Sequence, residues 1–163
     1  MRPITRTMLA AAVALLASRA ALAEVSVTYV KPDDYTDVSF SQIERERMLK
    51  EFSDYFARLD KKLPAGQSLR IEVLDIDLAG RLYPRRSGDD IRILNGDADW
   101  PRIHLRYTLE QDGKLLRSGD EQLSDMAYQD RLGRTSDSDP LRYEKRMLDD
   151  WFDKAIVPKV AAR

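Results

Sequence analysis

Apolar and polar residues alternate with a period of two in three stretches of the chain, and this pattern predicts half-buried strands. The first stretch is residues 24–30 (EVSVTYV). In the second, residues 68–79 (SLRIEVLDIDLA), the apolar residues change from odd to even positions after Val73. One extra residue reverses the faces of a strand, so we expect a β-bulge near Val73. The third stretch, residues 102–123, is typical of a hairpin that turns at an Asp-Gly pair.

Two other stretches repeat their apolar residues every three or four positions, which predicts amphipathic helices. The first helix is expected between Ser39 and Leu63, before a Pro-Ala-Gly terminator. The second is expected before Pro158 and after Asp139, an aspartate cap followed by a proline that suits the first turn. Trp151 is the largest apolar residue of this last helix, and we expect its truncation to cost about 3 to 5 kcal/mol.

The charged residues of the last helix form the run Glu144-Lys145-Arg146, followed by Asp149-Asp150. Lys145 with Asp149, and Arg146 with Asp150, have the i,i+4 spacing of ion pairs along a helix. The sequence therefore predicts that these residues form the solvated face of the helix.

The order of the elements is β-α-β-(loop)-β-β-α. Hairpin neighbours and one-sided alternation favour an α+β two-layer sandwich, with a mainly antiparallel sheet of about four strands and both helices packed on one face. The loop, residues 80–101, has turn signals around a short apolar run at 91–94. We interpret it as a long excursion with room for a short strand.

Residues 1–23 have the pattern of a cleavable secretory signal peptide. Arginines and no acidic residue precede the wholly apolar stretch 8–17, which is shorter than the roughly 20 residues that span a bilayer. A buried N-terminal helix is the alternative, but such a helix would carry polar residues at helical spacing. Small residues fit the signal-peptidase pattern, so cleavage is expected between Ala23 and Glu24.

The expected mature chain, residues 24–163, is a single globular α+β domain, exported to the periplasm through the general secretory route. The chain has no cysteine, which excludes disulfides, thiol catalysis, cysteine zinc sites and a lipid anchor on cysteine. No later apolar run is long enough to span a membrane either, so a soluble product is expected. Without the three arginines of the signal, 27 basic residues become 24 against 28 acidic, and a formal charge of −4 argues against nucleic acid as a partner.

The polar side of the predicted hairpin carries Arg102, His104 and Arg106, three donors that could bind an anion. The alternative is an exposed sheet face without a function. His104 is the only histidine, so a multi-histidine metal site and a histidine relay both lack partners. Tyr83 and Trp100 belong to the irregular stretch, where they could line an aromatic groove or complete a small satellite core.

Asp75 and Asp77 are two apart on a strand, which places both carboxylates on one face, where they could hold a hard cation or act on a reacting group. Residues 95–100 lack the dense ligand spacing and the closing glutamate of a calcium loop, so the acidic residues there are interpreted as turn residues and no metal site is assigned. The chain has no Gly-x-Ser-x-Gly elbow and no glycine-rich phosphate loop. We therefore assign no cofactor and no catalytic residue from the sequence.

Three segments together resemble the bacterial family Domain of Unknown Function 3016: residues 69–81 (LRIEVLDIDLAGR), 96–108 (GDADWPRIHLRYT) and 141–152 (LRYEKRMLDDWF). The resemblance covers nearly all of the expected mature chain. It implies an exported protein of a bacterium with an outer membrane, and it attaches no activity or catalytic residue to the chain.

The sequence leaves three functions open. The first is a periplasmic binding or interaction protein without catalysis, whose partner is an envelope protein or a small anionic ligand. The second is a carboxylate-based hydrolase, with or without a metal, built around Asp75 and Asp77. The third is a structural envelope protein. A concave site where these carboxylates converge would favour the enzyme, whereas scattered carboxylates on a flat sheet face would favour binding.

Overall fold

A four-stranded mixed sheet forms the centre of the computed structural model, which describes residues 23–37, 41–83, 91–130 and 139–157. Its strands lie in the spatial order β1-β2-β5-β6, with β1 parallel to β2 and the other pairs antiparallel. The six strands of the described chain are β1 Glu24–Tyr29, β2 Gln67–Asp77, β3 Arg81–Tyr83, β4 Ile91–Ile93, β5 Arg102–Gln111 and β6 Lys114–Ser124.

Two helices cover one face of this sheet. The first, α1, spans Gln42–Arg58, and the second, α2, spans Arg142–Trp151 and continues as a π-helical turn over Phe152–Ile156. Their buried side chains join those of β2 and β5 in one hydrophobic cluster. The predicted α+β fold is thus confirmed; β1 and β2 are parallel because α1 connects them as a crossover. Within the described residues, neither helix is long and apolar enough to cross a membrane.

The predicted bulge in β2 is confirmed. Val73 pairs with Leu105 of β5, and Asp75, not Leu74, pairs with the next residue back, His104. Leu74 is therefore the extra residue that exchanges the two faces. As a consequence, Asp75 and Asp77 both point away from the helices, Asp75 opposite His104 and Asp77 opposite Arg102.

The excursion between β2 and β5 contains two short strands. β3 and β4 pair as an antiparallel ribbon of their own, so the expectation of one short strand was incomplete. Gly80, at φ +82°, lies so close to the ribbon that a Cβ there would collide with the carbonyl oxygen of Ile93. The turn signals predicted before the apolar run fall within residues 84–90, which lie outside the described residues.

The interpretation of the charges on α2 as one solvated face is wrong. Glu144 has 0% exposure, forms an ion pair with Arg92 and accepts a 2.9 Å hydrogen bond from the backbone N–H of Ala79. Lys145 is also buried, and its Nζ donates to Asp139 at 2.8 Å and to Glu51 of α1. The apolar stripe of a helix marks only the side that packs on the sheet. The polar side of α2 is buried as well, because it contacts α1 and the β3–β4 ribbon.

Candidate functional site

A cavity of about 310 Å³ lies beside the sheet face that the helices leave open. Its walls come from the second half of β2, the start of β5, the end of β6 and the segments next to them, so it joins residues that are far apart in the chain. The lining residues are Asp75, Asp77, Trp100, Arg102, Ile103, His104, Gln122, Leu123, Ser124 and Met126.

The carboxylate of Asp75 is fixed by the turn that follows β1. Its Oδ1 accepts a 2.7 Å hydrogen bond from the backbone N–H of Thr36, and its Oδ2 accepts a 2.8 Å bond from the Thr36 hydroxyl. Both oxygens of Asp75 therefore hold this turn against β2.

The carboxylate of Asp77 is paired across the strands. Nη1 of Arg102 donates to its Oδ2 at 2.6 Å, as expected for opposed residues of neighbouring antiparallel strands. The same guanidinium lies over the indole ring of Trp100, 4.4 Å from the ring centroid. Arg102 thus connects the acidic wall of the cavity to its aromatic wall through an ion pair and a cation–π contact.

The middle of the open face carries a second charge network. His104 Nε2 lies 2.6 Å from Asp120 Oδ1, and Arg106 forms 3.2 Å ion pairs with Asp120 and with Glu72. The hydrogen bond to His104, and then the bonds from Arg106, hold the pKa of the Asp120 carboxyl below its ordinary value. Every basic side chain that was predicted to bind an anion is therefore paired with a carboxylate of a neighbouring strand.

Asp37 adds a titratable group next to these residues. Its backbone N–H donates to the carbonyl of Ile76 at 3.0 Å, which places it beside Asp77. Burial is the main cause that raises the pKa of Asp37 from 3.8 to about 6, and the nearby charge of Asp77 adds to it. The pKa of this carboxyl is consequently well above that of an ordinary exposed aspartate.

Five of the seven residues singled out from the sequence line the cavity: the acidic pair, Trp100, Arg102 and His104. Arg106 lies next to them on the same face, joined through Asp120. Tyr83 is an exposed residue of β3 and is not among the lining residues. The two sites that the sequence suggested separately, one basic and one acidic, thus form one site.

Several residues of this site were missed in the sequence. Gln122, Ser124 and Asp120 belong to the return strand of the hairpin, whose register the sequence left undetermined. Thr36 and Asp37 lie in a turn without a chemical motif. For Asp120, Gln122 and Ser124, the one available signal was their spacing of two along β6, which places all three on the same face of the strand.

The charges around the cavity bear on which ligands it could bind. Around the cavity and the network next to it, four carboxylates, those of Glu72, Asp75, Asp77 and Asp120, accompany two guanidinium groups, so this part of the open face has an excess of negative charge. Among the described residues, no group of three or more histidine, aspartate or glutamate side chains is placed to hold a metal ion. The arrangement presents hydrogen-bonding groups beside an aromatic ring and an exposed methionine, Met126.

The family comparison covers most of this structure. The model of the family described as "Protein of unknown function (DUF3016)" matches residues 23–154, from the start of β1 into the π-helical turn. The chain belongs to this family. The cavity-lining residues of this DUF3016 protein all lie inside the matched range. No curated protein and no solved structure matches the chain.

Proposed function

We propose that this DUF3016 protein is a soluble, non-catalytic binding protein of the periplasm, and that the open-face cavity is its ligand site. The observation that supports this function is the convergence of Asp75, Asp77, Trp100, Arg102 and His104 on one concavity. A volume of about 310 Å³ is at the lower end of the range of small-molecule sites, and also suits one or two side chains of a partner.

The state of the carboxylates favours binding over catalysis. A general base or nucleophile needs an oxygen that is free to meet the substrate. Both oxygens of Asp75 are engaged by Thr36, and Oδ2 of Asp77 is engaged by Arg102. These contacts fix the shape of the site, and each engaged oxygen keeps a second lone pair that can accept a hydrogen bond from a ligand.

The residues that line the cavity also favour one of the two expected partners, an envelope protein, over the other, a small anionic ligand. A small anion would have to displace a carboxylate from Arg102 or Arg106 and enter a face with excess negative charge. A segment of an envelope protein with an apolar side chain for Trp100 and Met126, and with donors for the acidic wall, needs no such displacement. The protein segment is therefore the partner that we propose.

Site-specific photocrosslinking tests this proposal in living cells. A photoreactive phenylalanine at Gln122, in the cavity, should give a discrete adduct with an envelope protein, and Trp100→Ala in the same chain should reduce it. The matched control carries the probe at Tyr83, which is exposed outside the cavity. Equal adducts at both positions, or an adduct that Trp100→Ala leaves unchanged, would contradict the proposal.

One observation favours the hydrolase as the second candidate. Asp75 and Asp77 do line a single concave cavity, beside the only histidine of the chain. If the protein is a hydrolase, it should turn over one member of a panel of chromogenic esters, phosphoesters, glycosides and peptides, and Asp77→Asn should abolish that turnover. The binding function predicts no turnover of any member by either protein.

A further inference from the structure

Strand β6 forms one edge of the main sheet, and within the described residues it pairs only with β5. Such an edge leaves a row of backbone donors and acceptors ready to pair with another strand. Its charges are ordered along the strand: Lys114 and Arg117 lie in the first half, and Asp120 and Glu121 in the second. This order is complementary to itself when two copies of the strand run antiparallel.

A groove of about 380 Å³ lies between the end of β6 and α2. Leu123 forms one wall, and Met147, Trp151 and Ala155, which follow one stripe of the helix, form the other. The opposite end of β6 carries two exposed leucines, Leu115 at 64% and Leu116 at 53%. The strand thus has an apolar knob at its start and a partly apolar groove at its end.

The register with β5 determines which residues of β6 would meet in a pair. Arg117, Gly119 and Glu121 oppose buried residues of β5, so they lie on the helix side of the sheet. A two-fold axis perpendicular to the sheet puts the helix sides of both copies on the same face of the joined sheet. With this axis at Gly119, Arg117 of each copy lies opposite Glu121 of the other, so the pair of charges occurs twice. On the open side, Ser118 then lies opposite Asp120.

We propose that two copies of this chain associate through antiparallel pairing of β6 with β6 about Gly119, which joins the two four-stranded sheets into one of eight strands. The start of β6 in each copy, with Leu116, then lies beside the groove at Leu123 of the other; Leu115 pairs with Glu110 beyond the register shift and lies on the open side. Arg117 already donates to the carbonyl of Ala155, and its five N–H groups allow a further bond to Glu121. The interface shares strand β6, including Leu123, with the open-face cavity, but Arg117 and Glu121 lie on the helix side and do not line that cavity, so charge variants at these two positions test the pairing independently of the proposed function.

Charge exchange between the two halves of the strand tests the proposal by sedimentation velocity on the purified protein. The wild-type protein should form a concentration-dependent dimer, and Arg117→Glu and Glu121→Arg should each weaken it by about tenfold or more, because like charges then face each other twice. An equimolar mixture of the two variants should dimerise again, since the opposite charges are restored. A wild-type protein that stays monomeric up to about 200 μM, or variants that dimerise as the wild type does, would overturn the proposal.

Disulfide trapping provides a second measurement that does not depend on these charge variants, and the absence of native cysteine makes it clean. Ser118→Cys and Asp120→Cys proteins, mixed and oxidised, should form a mixed disulfide, because opposed strand residues have a Cα separation that a disulfide can bridge. Ser26→Cys, on the other edge strand β1, is the matched control and should give no disulfide with Asp120→Cys. Equal yields from the two mixtures would contradict the β6 pairing.

Discussion

At the scale of single residues, Trp151 is the clearest anchor of the core. It is 5% exposed and makes edge-on contacts with Tyr107, at 5.5 Å between ring centroids, and with Phe152. Its Nε1 is buried and finds no hydrogen-bond acceptor among the described residues. The indole therefore stabilises the fold through apolar contact and not through its N–H group.

Trp151→Ala should lower the free energy of unfolding by about 3 to 5 kcal/mol, because it removes these contacts and leaves a cavity. Trp151→Phe should cost clearly less, since it keeps an aromatic ring and removes an unsatisfied donor. Urea denaturation followed by circular dichroism measures both. Equal losses for the two variants would contradict a stabilising role that rests on apolar contact.

Asp37 should make stability depend on pH. Burial raises its pKa from 3.8 to about 6 in the folded protein, so the folded state holds the proton more tightly than the unfolded chain does. The stability should therefore fall as the pH rises from about 4 to about 6, by about 1 kcal/mol after allowance for the partial exposure of this group.

Asp37→Asn should remove this decrease and make the protein more stable than the wild type at pH 7.5, with a smaller difference at pH 4.5. Urea denaturation at these two pH values measures the effect. A variant that shows the same decrease as the wild type would assign the pH dependence to another group.

At the scale of elements, the ion pair between Arg92 and Glu144 fastens the β3–β4 ribbon to α2. The guanidinium also donates to the backbone carbonyls of Ala79 and Pro140, so one side chain joins the ribbon, the end of β2 and the start of α2. Because Glu144 is fully buried, removal of its charge would leave Arg92 without its carboxylate partner in a poorly solvated place.

Glu144→Gln should lower the free energy of unfolding by about 3 kcal/mol and increase hydrogen exchange in the ribbon before that of the main sheet. Asp149→Asn is a matched control on the same helix, since its ion pair with Lys62 is exposed and should contribute less than about 1 kcal/mol. Similar effects of the two variants would contradict the fastening role of Glu144.

At the scale of the whole molecule, the predicted signal cleavage falls directly before the first strand of the described residues. Strand β1 begins at Glu24, the first residue after the expected cleavage site, and pairs with β2 from that residue onward. Cleavage between Ala23 and Glu24 would therefore leave the sheet complete.

Expression of the full chain in a bacterium with an outer membrane should place the protein in the periplasmic fraction, with Glu24 as the N-terminal residue by intact-mass spectrometry. Leu15→Arg, in the middle of the apolar stretch, should retain the uncleaved protein in the cytoplasm. Recovery of the wild-type protein with an intact N-terminus would contradict the signal peptide.

The sequence by itself determined the features that depend on local order. The period of two, the period of three to four and the phase change after Val73 gave the strands, the helices and the bulge, since each follows from which side of an element is buried. The spacing of two along a strand likewise placed Asp75 and Asp77 on one face before any pairing was known.

Only the tertiary structure decided which of these elements meet. It united the acidic pair with Arg102 and His104 because β2 and β5 are neighbours in the sheet, and it buried Glu144 and Lys145 because α1 and the β3–β4 ribbon pack against α2. Such contacts join residues far apart in the chain, and no local period records them. The site and the buried charges are therefore consequences of packing. The sequence encodes this packing, but no pattern within one element allows it to be recognised.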